Sequence, residues 1–210
     1  MSMWTDALAV NPMIAILRGL QPDRSIDVAD VLVEAGFRII EVPLNSPDAL
    51  SSIRQISKKY RGRVVVGAGT VLTPEQVTAV VDAGGQIIVA PNMDPEVGAR
   101  AIELGAEWCP GVLTPTEAFA ALRLGASILK IFPAELAPPA AIKAMRAVLP
   151  KSAIVAAVGG ITPETMAPYF SAGSESFGLG SALFKPDYSL EGLSQRAKAF
   201  VQAYAMLENP

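Results

Sequence analysis

Eight times along the chain a short apolar run gives way to a longer stretch with apolar residues three and four apart. The short runs cover residues 13–18, 38–44, 64–70, 86–92, 107–112, 127–133, 153–160 and 176–181. They are nearly continuously apolar, as strands covered on both faces must be. The turn chemistry repeats in step. Ser46-Pro47-Asp48, Thr73-Pro74-Glu75, Thr114-Pro115-Thr116-Glu117 and Thr162-Pro163-Glu164 stand after strand runs as helix starts, with Asn45 or Ser46 expected to cap the helix from about residue 48 to 60. Ala35-Gly36, Ala83-Gly84, Leu104-Gly105 and Leu124-Gly125 close helices before the next run. All helix starts therefore fall at one end of a parallel sheet and all glycine stops at the other.

Eight parallel strand–helix units are the count of a TIM (β/α)8 barrel in the α/β class. An open doubly wound sheet would need a glycine-rich dinucleotide turn after the first strand. Leu17-Arg18-Gly19-Leu20-Gln21-Pro22 is not one. No linker or low-complexity stretch interrupts the pattern, so residues 1–210 are expected to form a single barrel domain. Ser2 to Ala9 precede the first strand as an N-terminal helix or lid.

Composition removes several kinds of chemistry. The 210 residues contain no histidine and one cysteine, Cys109. Imidazole catalysis, His or Cys metal sites and internal disulfides are thereby excluded, and the cysteine usage fits a reducing, cytoplasmic compartment. A net charge of −3 without a basic run argues against a nucleic-acid partner. The apolar runs are too short to span a membrane, and residues 1–12 lack a secretory signal pattern. Catalysis would fall to Lys, Asp or Glu, Ser or Thr, Tyr, or Cys.

In such a barrel, function gathers at the C-terminal ends of the strands. Lys130 interrupts the apolar run Ile128-Leu129-Lys130-Ile131-Phe132. Either it is an amine whose apolar surroundings favour the neutral, nucleophilic form, or it is paired with Glu41 inside the barrel. Glu41 shares a strand face with Ile39 and Pro43, and a carboxylate there could relay protons or neutralise Lys130 or Arg18. Arg18 ends the first strand, where a guanidinium suits a carboxylate or phosphate. Thr70 could donate to the same group or belong to a loop. Gly159, Gly160, Gly180 and Ser181 end the last two strands, where barrels often bind phosphate on backbone amides. Trp108 and Cys109 are expected to pack.

Ile14 to Gly19, Ile40 to Pro47, Gly67 to Val71, Leu129 to Ala134 and Val158 to Gly160 together resemble the class I aldolases of 2-keto-3-deoxy-6-phospho-sugar acids. The similarity runs in order over nearly the whole chain. It implies a homotrimer of (β/α)8 barrels, needing neither cofactor nor metal, that splits a small-molecule sugar-acid phosphate into pyruvate and D-glyceraldehyde 3-phosphate. It also implies Lys130 as the Schiff-base lysine and Glu41 as the acid–base carboxylate. Arg18 and Thr70 then fall near the pyruvoyl carboxylate, Gly160, Gly180 and Ser181 at the phosphate, and Asn45, Pro91, Val158 and Gly159 elsewhere along the substrate. Gluconate-type members carry Arg and Thr where this chain has Asn45 and Val158, so the resemblance favours the galactonate-type branch. A metal-dependent aldolase, another phosphate-binding barrel enzyme and a non-catalytic sensor are the competing readings.

Overall fold

The computed structural model describes residues 2–208; Met1, Asn209 and Pro210 of the expected domain lie outside the described residues. Parallel strands β1 (Met13–Ile16), β2 (Ile39–Pro43), β3 (Val65–Gly69), β4 (Ile87–Val89), β5 (Glu107–Cys109), β6 (Gly111–Val112), β7 (Leu129–Ile131), β8 (Val155–Val158) and β9 (Ser176–Leu179) alternate with helices. The helices are α1 (Met3–Val10), α2 (Ser25–Ala35), α3 (Ala49–Lys59), α4 (Pro74–Asp82), α5 (Pro95–Glu103), α6 (Pro115–Arg123), α7 (Pro139–Arg146), α8 (Met166–Ser171) and α9 (Leu190–Glu208). The strand order is β5-β4-β3-β2-β1-β9-β8-β7-β6.

The two ends of that order are halves of one stave. Residues 107–112, expected as a single strand, are divided at Pro110, which has no amide hydrogen to donate. Glu107 N donates to Gln86 O at 2.8 Å on one side, and Trp108 O accepts from Ser127 N at 2.8 Å on the other. Lys130 N then donates to Pro110 O at 3.0 Å. Nine strand segments thus make eight staves, and the barrel closes through the divided one.

Alternation along the strands sorts the side chains into two cores. Ile40, Val42, Val66, Ile88, Leu129 and Ile131 face outward onto the helices, with Leu32, Ile53 and Val80 in the same cluster. Ile14, Ile16, Ile39, Val65, Ile87, Val89, Ile128, Ala156 and Val158 fill the interior. Trp4 and Ala7 of α1 join this inner cluster. In the same cluster Ile14, Ile39, Val65 and Ile87 lie at or next to the starts of their strands, so α1 plugs the N-terminal mouth. The leading segment is therefore a helix but not a lid: it closes the end opposite the functional residues. Burying Trp4 there stabilises the plug by roughly 2 kcal/mol.

Most helix starts follow the turn chemistry. Thr73 accepts from Gln76 N, and Thr114 and Glu117 form a reciprocal capping box. The expectation fails at α8, which begins only at Met166 and whose N-cap Thr165 makes no side-chain cap bond, and at α3. The N-cap of α3 is Asp48, with φ 38° and no side-chain cap bond. Asn45 and Ser46 are drawn away to the β1 loop, where they accept from Arg18 and from Gly19 N. Trp108 packs outward against Gly98 of α5, as expected of a packing residue. Cys109 instead faces the barrel interior beside Lys130.

Candidate active site

Lys130 is the central residue of β7, and its parity with Ile128 turns the side chain inward. It is 7% exposed. Its Nζ donates to the carbonyl of Ala90 at 3.3 Å and sits 4.5 Å from the centroid of the Phe132 ring. Glu41, in β2, is 2% exposed and lines the same small space as Lys130, together with Val89, Cys109 and Val158. No ion pair within 4.0 Å forms between them; the ion pairs among the described residues are Lys59–Asp30, Arg100–Glu103 and Arg146–Glu175. Lys130 and Glu41 share a chamber without forming a contact pair.

The electrostatics follow from this separation. Burial pushes the Lys130 amine below its ordinary range; Glu41 and Cys109 oppose that, and Arg18 adds to it. Burial pushes the Glu41 carboxyl up to about 7, against the opposing pull of Lys130 and Arg18. In both groups desolvation outweighs attraction, so each is moved toward its neutral form. The two shifts narrow the gap that separates the ordinary pKa values of an amine and a carboxylate. Burial also pushes the Cys109 thiol far up, which keeps it a protonated, weakly reactive thiol.

Glu41 is seated by the neighbouring strand. A Cβ on Gly69 would lie 1.9 Å from Glu41 Oε2, so the carboxylate rests on the bare backbone of β3. Among the described residues, Oε2 finds no hydrogen-bond donor, which leaves it for whatever enters the chamber. The next residue, Thr70, has φ 57°, left-handed backbone that a β-branched side chain rarely adopts. Such strain costs of order 1–3 kcal/mol and concentrates at functional sites.

Above the chamber opens a cleft of about 770 Å³. Ile16, Val158 and Gly178 line both, so the two spaces are continuous. Arg18, Gly159, Gly160, Gly180 and Ser181 all line the cleft. Gly159 and Gly160 take φ 112° and 65°, which turn the backbone sharply at the end of β8. Arg18 is exposed, and its Nη1 donates to Asn45 Oδ1 at 2.5 Å. Asn45 therefore reaches the site through Arg18. Thr70 and Pro91, at the ends of β3 and β4, stand outside the cleft lining.

The structure adds groups that the sequence reading passed over. The Ala90 carbonyl holds the amine, and the Phe132 ring covers it. Glu135 lies against Gly159 and Gly160 and lines the cleft with Lys185 and Tyr188. None of these belongs to a periodic pattern, and a backbone carbonyl carries no residue-type signal at all. Only Phe132, two residues from Lys130 on the same strand face, could have been found by parity. Among the described residues, no group of three or more His, Cys, Asp or Glu is placed to hold a metal ion.

A closed parallel barrel with a buried amine and carboxylate on its floor, and glycine loops at the ends of β8 and β9, has the architecture of a barrel lyase. The chain belongs to the KDPG and KHG aldolase family, whose model matches residues 5–196. It is 49% identical over 193 residues to the 2-dehydro-3-deoxy-6-phosphogalactonate aldolase of Escherichia coli K12, covering 92% of this chain and 94% of that one. It is 34% identical over 182 residues to the 2-dehydro-3-deoxy-phosphogluconate aldolase of Zymomonas mobilis, covering 84% and 86%. A solved structure of native KDPGal superimposes with a TM-score of 0.93 at 47% identity, over 95% of this chain and 97% of that one.

Proposed function

We propose that the chain is a class I aldolase that cleaves 2-dehydro-3-deoxy-6-phospho-D-galactonate to pyruvate and D-glyceraldehyde 3-phosphate, in D-galactonate degradation. The observation that carries the reading is Lys130: buried, outside any ion pair among the described residues, lowered in pKa, and sharing its chamber with the buried carboxylate of Glu41. Neutral Lys130 attacks carbon 2 of the keto acid. Glu41, directly or through a water, supplies the proton on which hydroxide leaves as water, giving the iminium. The ionised Glu41 then takes the proton of the carbon-4 hydroxyl. The C3–C4 bond breaks, its electron pair moves toward the iminium nitrogen as the enamine forms, and the aldehyde departs. Protonation at carbon 3 and hydrolysis release pyruvate and restore the amine. The iminium is the electron sink, so no step calls for a metal ion.

Along the substrate, Arg18 meets the carboxylate, with Asn45 holding the guanidinium and Thr70 and Pro91 on the adjoining rim. Gly159, Gly160, Gly180 and Ser181 meet the phosphate. This fixes the scissile bond between the two anchors, over the amine. Borohydride reduction in the presence of pyruvate tests the reading: a pyruvate-sized mass increment is expected on Lys130, and its absence sinks the mechanism.

The galactonate branch is supported by the higher identity to the phosphogalactonate relative and by Val158. Val158 is 5% exposed and lines both chamber and cleft, so it faces the space between Lys130 and the glycine loops. A hydroxyl there would read the carbon-4 epimer; a methyl does not. Val158→Thr is expected to move the ratio of kcat/KM for the gluconate- and galactonate-type substrates by about tenfold toward the gluconate type. An unchanged ratio in paired assays removes Val158 as the discriminator. A homotrimer in the cytoplasm completes the reading. Leu72, Leu113 and Leu136 are exposed in the segments that follow β3, β6 and β7, apolar surface that such an assembly would cover. No described helix is long and apolar enough to cross a membrane. Sedimentation at micromolar concentration reports the assembly.

A further inference from the structure

After β9 the chain makes one helical turn before it enters α9. Leu183 N and Phe184 N both donate to Gly180 O at 2.9 Å, and Tyr188 N donates to Lys185 O at 3.1 Å. Three groups outside the cleft lining hold this segment. Arg24 ends the 3-10 turn Pro22–Arg24 that follows β1. Its Nη1 donates to the carbonyl of Pro186 and its Nη2 to that of Tyr188, the latter at 2.8 Å. Pro186 rests on Gly19, where a Cβ would come within 2.7 Å of its Cγ. The Arg196 guanidinium lies 4.3 Å from the centroid of the Tyr188 ring. A guanidinium fork serves two carbonyls at once; an ammonium has no such fixed geometry.

The pinned segment offers the cleft one cation. Lys185 lines it and Asp187 does not. The other charged lining residues are Arg18, held by Asn45 and assigned above to the substrate's carboxylate, and Glu135, which faces Gly159 and Gly160 and repels an anion. Lys185 is exposed and has no ion-pair partner within 4.0 Å among the described residues. A phosphoryl dianion seated on the two glycine loops needs a positive charge to offset Glu135, and Lys185, four residues after Ser181, is placed to supply it.

We propose that Lys185 binds the substrate's phosphoryl group and that Arg24 is a positioning residue acting through the backbone of Pro186 and Tyr188. The inference rests on the aldolase reading for its substrate, but its test includes a probe that does not depend on catalysis. In the full-length protein, Lys185→Met is expected to raise KM for the phosphorylated keto acid about tenfold, with kcat changed less than about threefold, the loss of one charge-assisted hydrogen bond. Arg24→Gln is expected to raise the same KM about threefold or more, and Arg24→Lys to recover part of it. Deuterium exchange into pyruvate, which has no phosphoryl group, is the internal comparison. The ratio of cleavage to exchange falls in Arg24→Gln if Arg24 positions Lys185, and stays constant if it only supports the fold. Separately, glycerol 3-phosphate is expected to protect Lys185 from an amine-acylating reagent in the wild-type protein, read by peptide mass. An unprotected Lys185, an unchanged KM in Lys185→Met, or a constant ratio in Arg24→Gln each overturns the proposal. Failure of the pyruvate adduct on Lys130 with Lys185 still protected overturns the aldolase reading and leaves the phosphoryl site standing.

Discussion

Lys130 and Glu41, on the floor of the site, are 7% and 2% exposed, whereas Arg18, Glu135, Ser181 and Lys185, on its rim, are open to solvent. The floor has a buried amine and a buried carboxylate with shifted pKa values, beside the shifted thiol of Cys109, and few hydrogen bonds. The rim is made of glycine turns, backbone amides and solvated charges. Removing water is what changes the chemistry of the floor, because desolvation outweighs the attraction between amine and carboxylate. The rim holds ligand by shape and by charges that water already stabilises. Floor substitutions should therefore act on kcat, and rim substitutions on KM.

The largest expected effect is at the amine. Lys130→Ala removes the proposed nucleophile and should lower kcat by about 10⁴-fold or more. Lys130→Met should be as inactive, yet it replaces a buried amine by an apolar chain of similar length. Its midpoint of thermal unfolding should equal or exceed that of the parent. A marked fall in melting temperature would mean that Lys130 is a structural ion-pair member, and the contrast between floor and rim would collapse.

Glu41→Gln comes next, at about 10²–10⁴-fold in kcat. It also carries a pH signature. With the carboxyl raised from 4.5 to about 7, its basic form is lost as pH falls through 7, so wild-type kcat/KM should decline on that acid side. The variant should show no limb there. Stability moves the other way. Between about 4.5 and 7 the folded chain keeps a proton that the unfolded chain has released. Glu41 therefore disfavours the folded state progressively as pH rises through that window. Denaturant titrations at pH 5 and pH 7.5 should show this difference in wild type and not in Glu41→Gln.

The same contrast governs what was legible in the sequence. Period and turn residues revealed eight staves, because each strand's burial and each helix's start leave a residue-type record. Lys130 and Glu41 stood out because a charge inside an apolar run violates the pattern around it. The break at Pro110 was visible as a residue but not as a consequence, since the pairing of its two halves with different neighbours is a matter of closure. Asn45 and Ser46 were misplaced as caps because the loop of β1 competes for the same side-chain oxygens. Lys185, Glu135 and the Ala90 carbonyl were illegible: solvated charges and backbone groups break no local rule, and only the fold brings them to the cleft.

Gly69→Ala tests the floor without removing either reacting group. The new methyl would lie 1.9 Å from Glu41 Oε2, so the carboxylate must move. Displacing a reacting group by about 1 Å typically costs on the order of 10²-fold, and the loss should fall on kcat. Retention of full activity would show that the seat on β3 is not what aims Glu41.

Gly180→Ala is the smallest effect and the sharpest probe of the rim. Its φ is not in the left-handed region, and a Cβ there would meet nothing within 4 Å. The free protein therefore gives no reason for glycine at this position, and the melting temperature should stay within about 2 °C of the parent, since surface changes are usually within about 0.5 kcal/mol. If the phosphoryl group approaches this backbone, the added methyl stands in its path, and KM should rise about three- to tenfold with kcat held. An unchanged KM would place the phosphoryl group on the Gly159–Gly160 turn alone and confine the rim's anion site to the end of β8.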